Sequence, residues 1–170
     1  MPSDKSERLI TGMLRSAHML GNEEEIIFAA TDLLADTKLA PELSNEAHYY
    51  RAKAYLDAGK TDGAMEDLKV LAKDTRNVYG AEAKYKVAQI YFDGGQTDKA
   101  EQEVLNYIEV STPHTYWLAR SFVLLADVYM KLGRNLDAKQ YLLSLKQNYQ
   151  ADDDIAGMIE SRLEKLKTEN

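Results

Sequence analysis

The sequence predicts an all-α fold, a stack of about four helical hairpins closed by a terminal helix, and three observations predict it. Glycines 21, 59, 95 and 133 recur at separations of 38, 36 and 38 residues. Small and apolar residues fall in one frame around each of them. Residues 119–145 also read, taken alone, as two amphipathic helices folded back on each other at 131–135. Periods of roughly 20 to 50 residues mark repeat arrays. A unit of that size cannot bury its own apolar face, so stacking on neighbours supplies the core.

The frame is clearest around Gly133, where Ala126 and Tyr129 lie seven and four residues before it and Ala138, Leu142 and Leu145 lie five, nine and twelve after. The same positions hold Ala88, Tyr91, Ala100, Val104 and Tyr107 around Gly95, and Ala52, Tyr55, Ala64, Leu68 and Leu71 around Gly59. The first unit, 7–40, is the poorest copy: it keeps Leu14, Ala17, Ile26, Ala30 and Leu33 around Gly21 but lacks the tyrosine. Its turn offers Asn22 as a helix N-cap, followed by Glu23, Glu24 and Glu25 where the helix dipole favours acids.

Pro41 opens the second unit, 42–76, because a first-turn proline lacks only an N–H that would be orphaned anyway. Its helix A runs to about Ala58. The turns Gly59-Lys60-Thr61-Asp62 and Gly95-Gln96-Thr97-Asp98 share one expected logic: a left-handed Gly ends one helix, Thr caps the next and Asp meets its dipole. The third unit, 78–111, starts helix A near Val78 and ends helix B near Val110. Ser111, Thr112 and Pro113 then restart the chain, with Thr112 as the expected cap and Pro113 as the first helical residue of the fourth unit, 113–149. Trp117 is expected to pack against the preceding helix B.

The last helix, 152–168, carries Ile155, Ile159, Leu163 and Leu166 at spacings of four, four and three, with Glu160, Arg162, Glu164, Lys165 and Lys167 on its other face. One apolar stripe and one charged face describe a capping helix. Asp152, Asp153 and Asp154 before it serve the dipole. A calcium loop starting at Asp152 would need glutamate at its twelfth position, where Leu163 stands. The whole chain, 1–170, reads as a single domain.

Composition narrows the functional classes. Acidic residues outnumber basic ones 28 to 21, and the net charge of −7 repels a phosphate backbone, so nucleic acid is not an expected partner. There is no cysteine, which removes disulfides, thiolate metal sites and cysteine nucleophiles and leaves the compartment open. No apolar run approaches the roughly 20 residues that cross a bilayer, so direct membrane insertion is not expected. The histidines, His18, His48 and His114, fall in different units without metal-ligand spacing; His48 reads as a repeat-interface or surface residue. Gly59-Lys60-Thr61 imitates the end of a phosphate-binding loop, but the glycine it needs at position 54 is Ala54 on a helix. No cofactor, metal or catalytic group is expected.

The three sets Ala52-Tyr55-Gly59-Ala64, Ala88-Tyr91-Gly95-Ala100 and Ala126-Tyr129-Gly133-Ala138 resemble the tetratricopeptide repeat over about residues 7–148. The period exceeds the family's usual length, and the proline that normally closes helix B is absent. The endings Lys73-Asp74-Thr75-Arg76 and Lys146-Gln147-Asn148-Tyr149 look most like envelope-associated repeat scaffolds of Gram-negative bacteria. That resemblance implies a bacterial periplasmic or outer-membrane-associated setting, with the chain as the carboxyl end of a longer exported protein; cytoplasm is the alternative.

The family fold is a right-handed α-α superhelix whose inner surface is lined by helix A, and its function is non-catalytic protein or peptide binding. The groove positions map onto Thr11 and Arg15, onto Tyr49, Lys53 and Leu56, onto Tyr85, Gln89 and Phe92, and onto Val123, Asp127 and Met130. An aromatic and apolar ladder with polar neighbours suits peptide anchoring, the favoured reading; the alternative is that the same tyrosines simply fill a tight superhelix. The family's clamp for acidic carboxyl-terminal tails uses lysine and asparagine where this chain has Tyr49 with Lys53 and Tyr85 with Gln89, so a chaperone-tail adaptor is not expected. The competing reading is a structural spacer or self-association module, a homo-oligomer formed through the terminal repeats.

Overall fold

A computed structural model describes residues 2–110 and 112–168, with side chains from residue 5 onward. The described residues form nine helices: α1 (Pro2–Leu20), α2 (Glu23–Leu34), α3 (Pro41–Asp57), α4 (Thr61–Leu71), α5 (Val78–Asp93), α6 (Thr97–Glu109), α7 (Thr115–Lys131), α8 (Asn135–Asn148) and α9 (Ile155–Thr168). They divide into two compact units, Met1–Asp74 and Thr75–Asn170, the first holding α1 to α4 and the second α5 to α9. The fold is an all-α repeat solenoid of paired helices.

Each pair turns on one of the frame glycines. Gly21, Gly59, Gly95 and Gly133 have φ of 69°, 74°, 79° and 76°, the left-handed region that residues with a Cβ rarely occupy. The residue after each glycine donates its backbone N–H five residues back, to the carbonyls of Ala17, Tyr55, Tyr91 and Tyr129 at 2.7–3.0 Å. Otherwise orphaned carbonyls at the helix end are thereby satisfied, and the chain reverses in two residues.

The frame residues make most of the core, with Tyr55 and Tyr91 half-buried at its edge. Leu14, Ala17, Ile26, Ala30 and Leu33 are buried in the first unit together with Ala47 and Ala54. In the second unit Ala88, Ala100, Val104, Ala126, Tyr129, Ala138, Leu142 and Leu145 are buried in one cluster with Ile155, Ile159 and Leu166 of α9. Ala64, Ala100 and Ala138 are 0% exposed, so helix B of each pair approaches helix A with no more than a methyl group between them. Gly63 shows how close this is: a Cβ there would stand 3.1 Å from the Tyr55 ring.

Helix starts depart from expectation in three places. Thr61 and Thr97 are the first helical residues and not caps; Lys60 and Gln96 hold the cap position without a side-chain bond. The two-residue reversal leaves only the residue after glycine to serve as cap. In the first pair that residue is Asn22, whose side chain accepts from Glu25 N at 3.2 Å, as expected. Thr112 and Pro113 precede α7, which starts at Thr115 after His114. Thr112 Oγ1 instead accepts from His114 N at 3.1 Å and donates to the Thr75 carbonyl at 2.8 Å, so the hydroxyl makes a turn before the helix. Ser111, expected to open that restart, and Met1 lie outside the described residues.

Candidate functional site

In the first unit the predicted face is carried by α1 and α3. Thr11 is buried, and its hydroxyl has no hydrogen-bond partner there, so the position packs and does not line a surface. Arg15 reaches across to Glu46 with two bonds, Nε to Oε1 at 2.7 Å and Nη2 to Oε2 at 3.0 Å. That paired fork ties α1 to α3. Tyr49, Lys53 and Leu56 are half-buried along α3, with Lys53 Nζ 5.5 Å from the Tyr49 ring centre and Tyr50 edge-on to Tyr49 at 5.7 Å. His18 is exposed and stacks on Tyr50 at 4.2 Å.

A polar cluster that the sequence reading did not anticipate also stands here. Asp67 of α4 is 1% exposed and takes three bonds from α3: His48 Nδ1 at 2.7 Å, Arg51 Nε at 2.9 Å and Arg51 Nη2 at 2.7 Å. Arg51 Nη1 continues to Thr31 Oγ1 of α2 at 3.0 Å. Burial by itself would push the Asp67 carboxyl up, but the bonds from His48 and Arg51 outweigh it and hold the group below its ordinary value. His48 is thus a helix-pairing residue. The available signal was an Asp in the middle of an apolar helix B face, between buried Ala64 and Leu71.

In the second unit α5 and α7 carry the predicted residues. Tyr85 is 8% exposed, lies 5.7 Å from the Trp117 ring and 5.2 Å from the Arg120 guanidinium, and donates its hydroxyl to Gln89 Oε1 at 2.8 Å. Gln89 passes the chain on to Asp93 at 2.8 Å. Trp117 therefore meets helix A of the preceding pair, its ring tilted by 32° to that of Tyr85. Val123 is buried in the core at 2% exposure, so it does not line a surface.

The remaining three predicted residues come together. Phe92, Asp127 and Met130 line an open cleft of about 600 Å³ with Lys131 of α7 and Ser161, Arg162 and Lys165 of α9. Arg162 forks onto Asp127, Nε to Oδ1 at 2.9 Å and Nη2 to Oδ2 at 3.0 Å. Lys131 Nζ stands 5.7 Å from the Phe92 ring centre. The charged face expected of α9 therefore sends Arg162 inward, onto a groove position of α7. With Asp127 matched to Arg162, Lys131 and Lys165 leave the cleft positive on a chain whose net charge is −7.

A family model described as tetratricopeptide repeat matches residues 46–74, and a second of the same description matches residues 119–147. The chain carries tetratricopeptide repeats at these two segments. The matched segments each contain one frame glycine and most of the helices on both sides of it, so they fall on the α3–α4 and α7–α8 pairs. Two crystal structures of nearly identical TPR-like repeats, from a Podosopora anserina protein described as a kinesin light chain, share the fold. One has a TM-score of 0.58 at 17% identity, over 95% of this chain and 92% of that one. The other has a TM-score of 0.58 at 16% identity, over 95% and 90%. No curated protein matches the chain. Tetratricopeptide repeats are in general protein-interaction scaffolds, and no helix among the described residues is long and apolar enough to cross a membrane.

Proposed function

We propose that the chain is a non-catalytic scaffold that binds an acidic peptide segment in the cleft formed by α5, α7 and α9. The observation that carries this reading is the pairing, in one open cleft, of the apolar Phe92 and Met130 with Lys131 and Lys165. An apolar side chain of a peptide would lie between Phe92 and Met130, and an adjacent carboxylate would meet the two ammonium groups. The same arrangement favours opposite charge and disfavours the chain's own acidic surface. The Tyr49, Lys53 and Leu56 face of α3 offers a second, shallower contact strip of similar chemistry. The resemblance to envelope-associated repeat scaffolds makes a bacterial envelope assembly the favoured setting, with cytoplasm as the alternative, and cell fractionation decides between them.

The test is fluorescence anisotropy with labelled peptides in which a single Leu or Phe is flanked by Asp and Glu, beside neutral and basic versions. Selective binding of the acidic set, weakening with salt and lost in Lys131→Glu with Lys165→Glu, is the expected result. Equal binding by the charge-reversed protein would remove the cleft from consideration.

A further inference from the structure

The first helical pair presents a face that its own core does not use. Its buried side is Leu14, Ala17, Ile26, Ala29, Ala30 and Leu33. Its other side exposes Leu9 at 67%, Met13 at 49% and Phe28 at 68%, around a hollow of about 610 Å³ that Gly12, Arg8 and Glu25 also line. A Cβ built on Gly12 would meet nothing within 4 Å, so the hollow opens directly onto the backbone of α1. A glycine inside a helix is less favourable than an alanine, and nothing within 4 Å of a Cβ at position 12 requires one there.

We propose that this face of α1 and α2 is a two-fold interface between two copies of the chain. Three features select a second copy as occupant. Knob and hole lie in the same patch: Phe28 projects beside the hollow over Gly12, so antiparallel apposition about a two-fold axis puts each Phe28 into the partner's hollow. The charges are self-complementary, because Arg8 lies toward the open end of the pair while Glu25 sits in the first turn of α2, beside the Gly21 turn. The same axis brings Arg8 of one copy to Glu25 of the other, twice. The patch is also charge-balanced on a protein of net charge −7, so it is a place where two copies approach without the repulsion that the acidic surface imposes elsewhere.

The experiment is sedimentation velocity of the intact chain over a concentration series, with circular dichroism on every variant. The expected result is a reversible monomer–dimer equilibrium. Gly12→Leu fills the hollow with a better helix former, so it should keep or raise helicity and thermal midpoint while weakening dimerisation by about tenfold or more. Arg8→Glu should weaken the dimer, and Arg8→Glu combined with Glu25→Arg should restore it. A monomer at every concentration would overturn the interface. So would a dimer indifferent to Gly12→Leu, or association that grows with that substitution, which is how a non-specific apolar patch responds to added apolar surface.

Discussion

Asp67 ties three helices of the first unit together, because one buried carboxylate of α4 accepts from two residues of α3 and, through Arg51, reaches Thr31 of α2. A carboxylate at 1% exposure survives only with such partners, since desolvation would otherwise cost it several kcal/mol. Asp67→Ala removes the acceptor and leaves the Arg51 guanidinium, 19% exposed, without its counter-ion. We expect a loss of about 3 kcal/mol in urea unfolding. The pH dependence has a definite sign. The folded carboxyl is held below its ordinary value, so its contribution is complete above the unfolded value of about 4 and is lost as pH falls through the lower folded value. Acid titration of stability should therefore be steeper in the parent than in Asp67→Ala. Arg15 and Glu46 repeat the device at the α1–α3 contact, but Arg15 is more than half exposed and that pair contributes less.

At the scale of elements, α9 does two things at once. Ile155, Ile159 and Leu166 close the apolar end of the second unit, and Arg162 holds Asp127 on α7. Its entry is set by the aspartates before it: Asp153 Oδ1 accepts from Ile155 N at 2.9 Å, and the hydroxyls of Tyr149 and Tyr116 donate to Asp153 and Asp154. The acidic run therefore caps the helix and draws in two tyrosines, beyond the dipole role that its position suggests. Arg162→Ala separates the two functions of α9. The pair is 28% and 24% exposed, open enough to water to be worth about 1 kcal/mol, so the fold should survive with a small drop in thermal midpoint. Asp127 is then uncompensated and lowers the cleft's positive charge. Affinity for the acidic peptides should fall in the anisotropy assay, and Arg162→Lys should recover part of it. Unchanged affinity in Arg162→Ala would argue against an electrostatic cleft.

At the scale of the molecule, the two compact units each possess their own buried cluster. Stability in such arrays is close to a sum of unit and nearest-neighbour terms. Hydrogen exchange should therefore resolve the effect of Asp67→Ala by location: amides of α1 to α4 should lose most protection, and those of α7 to α9 the least. A uniform loss over all nine described helices would mean that the chain opens only as a whole.

Much of this was legible before any coordinates. The frame residues around Gly133, Gly95, Gly59 and Gly21 are buried, apart from the half-buried Tyr55 and Tyr91, and the four glycines are the positive-φ positions, because helix period and turn stereochemistry are local rules that act through the residue itself. Pro41 and Asn22 were readable for the same reason. Tertiary structure decided what happens where two helices meet. Family position alone put Thr11, Tyr85 and Val123 on a surface, yet neighbouring helices cover all three. Trp117 sits on Tyr85, Arg162 turns in to Asp127, and His48 serves Asp67, each through partners 19 to 35 residues away in the chain. Periodicity says which side of a helix is apolar. Which polar side chain finds a counter-ion on that side depends on the distance and angle of the next helix, and no local pattern of residues encodes them.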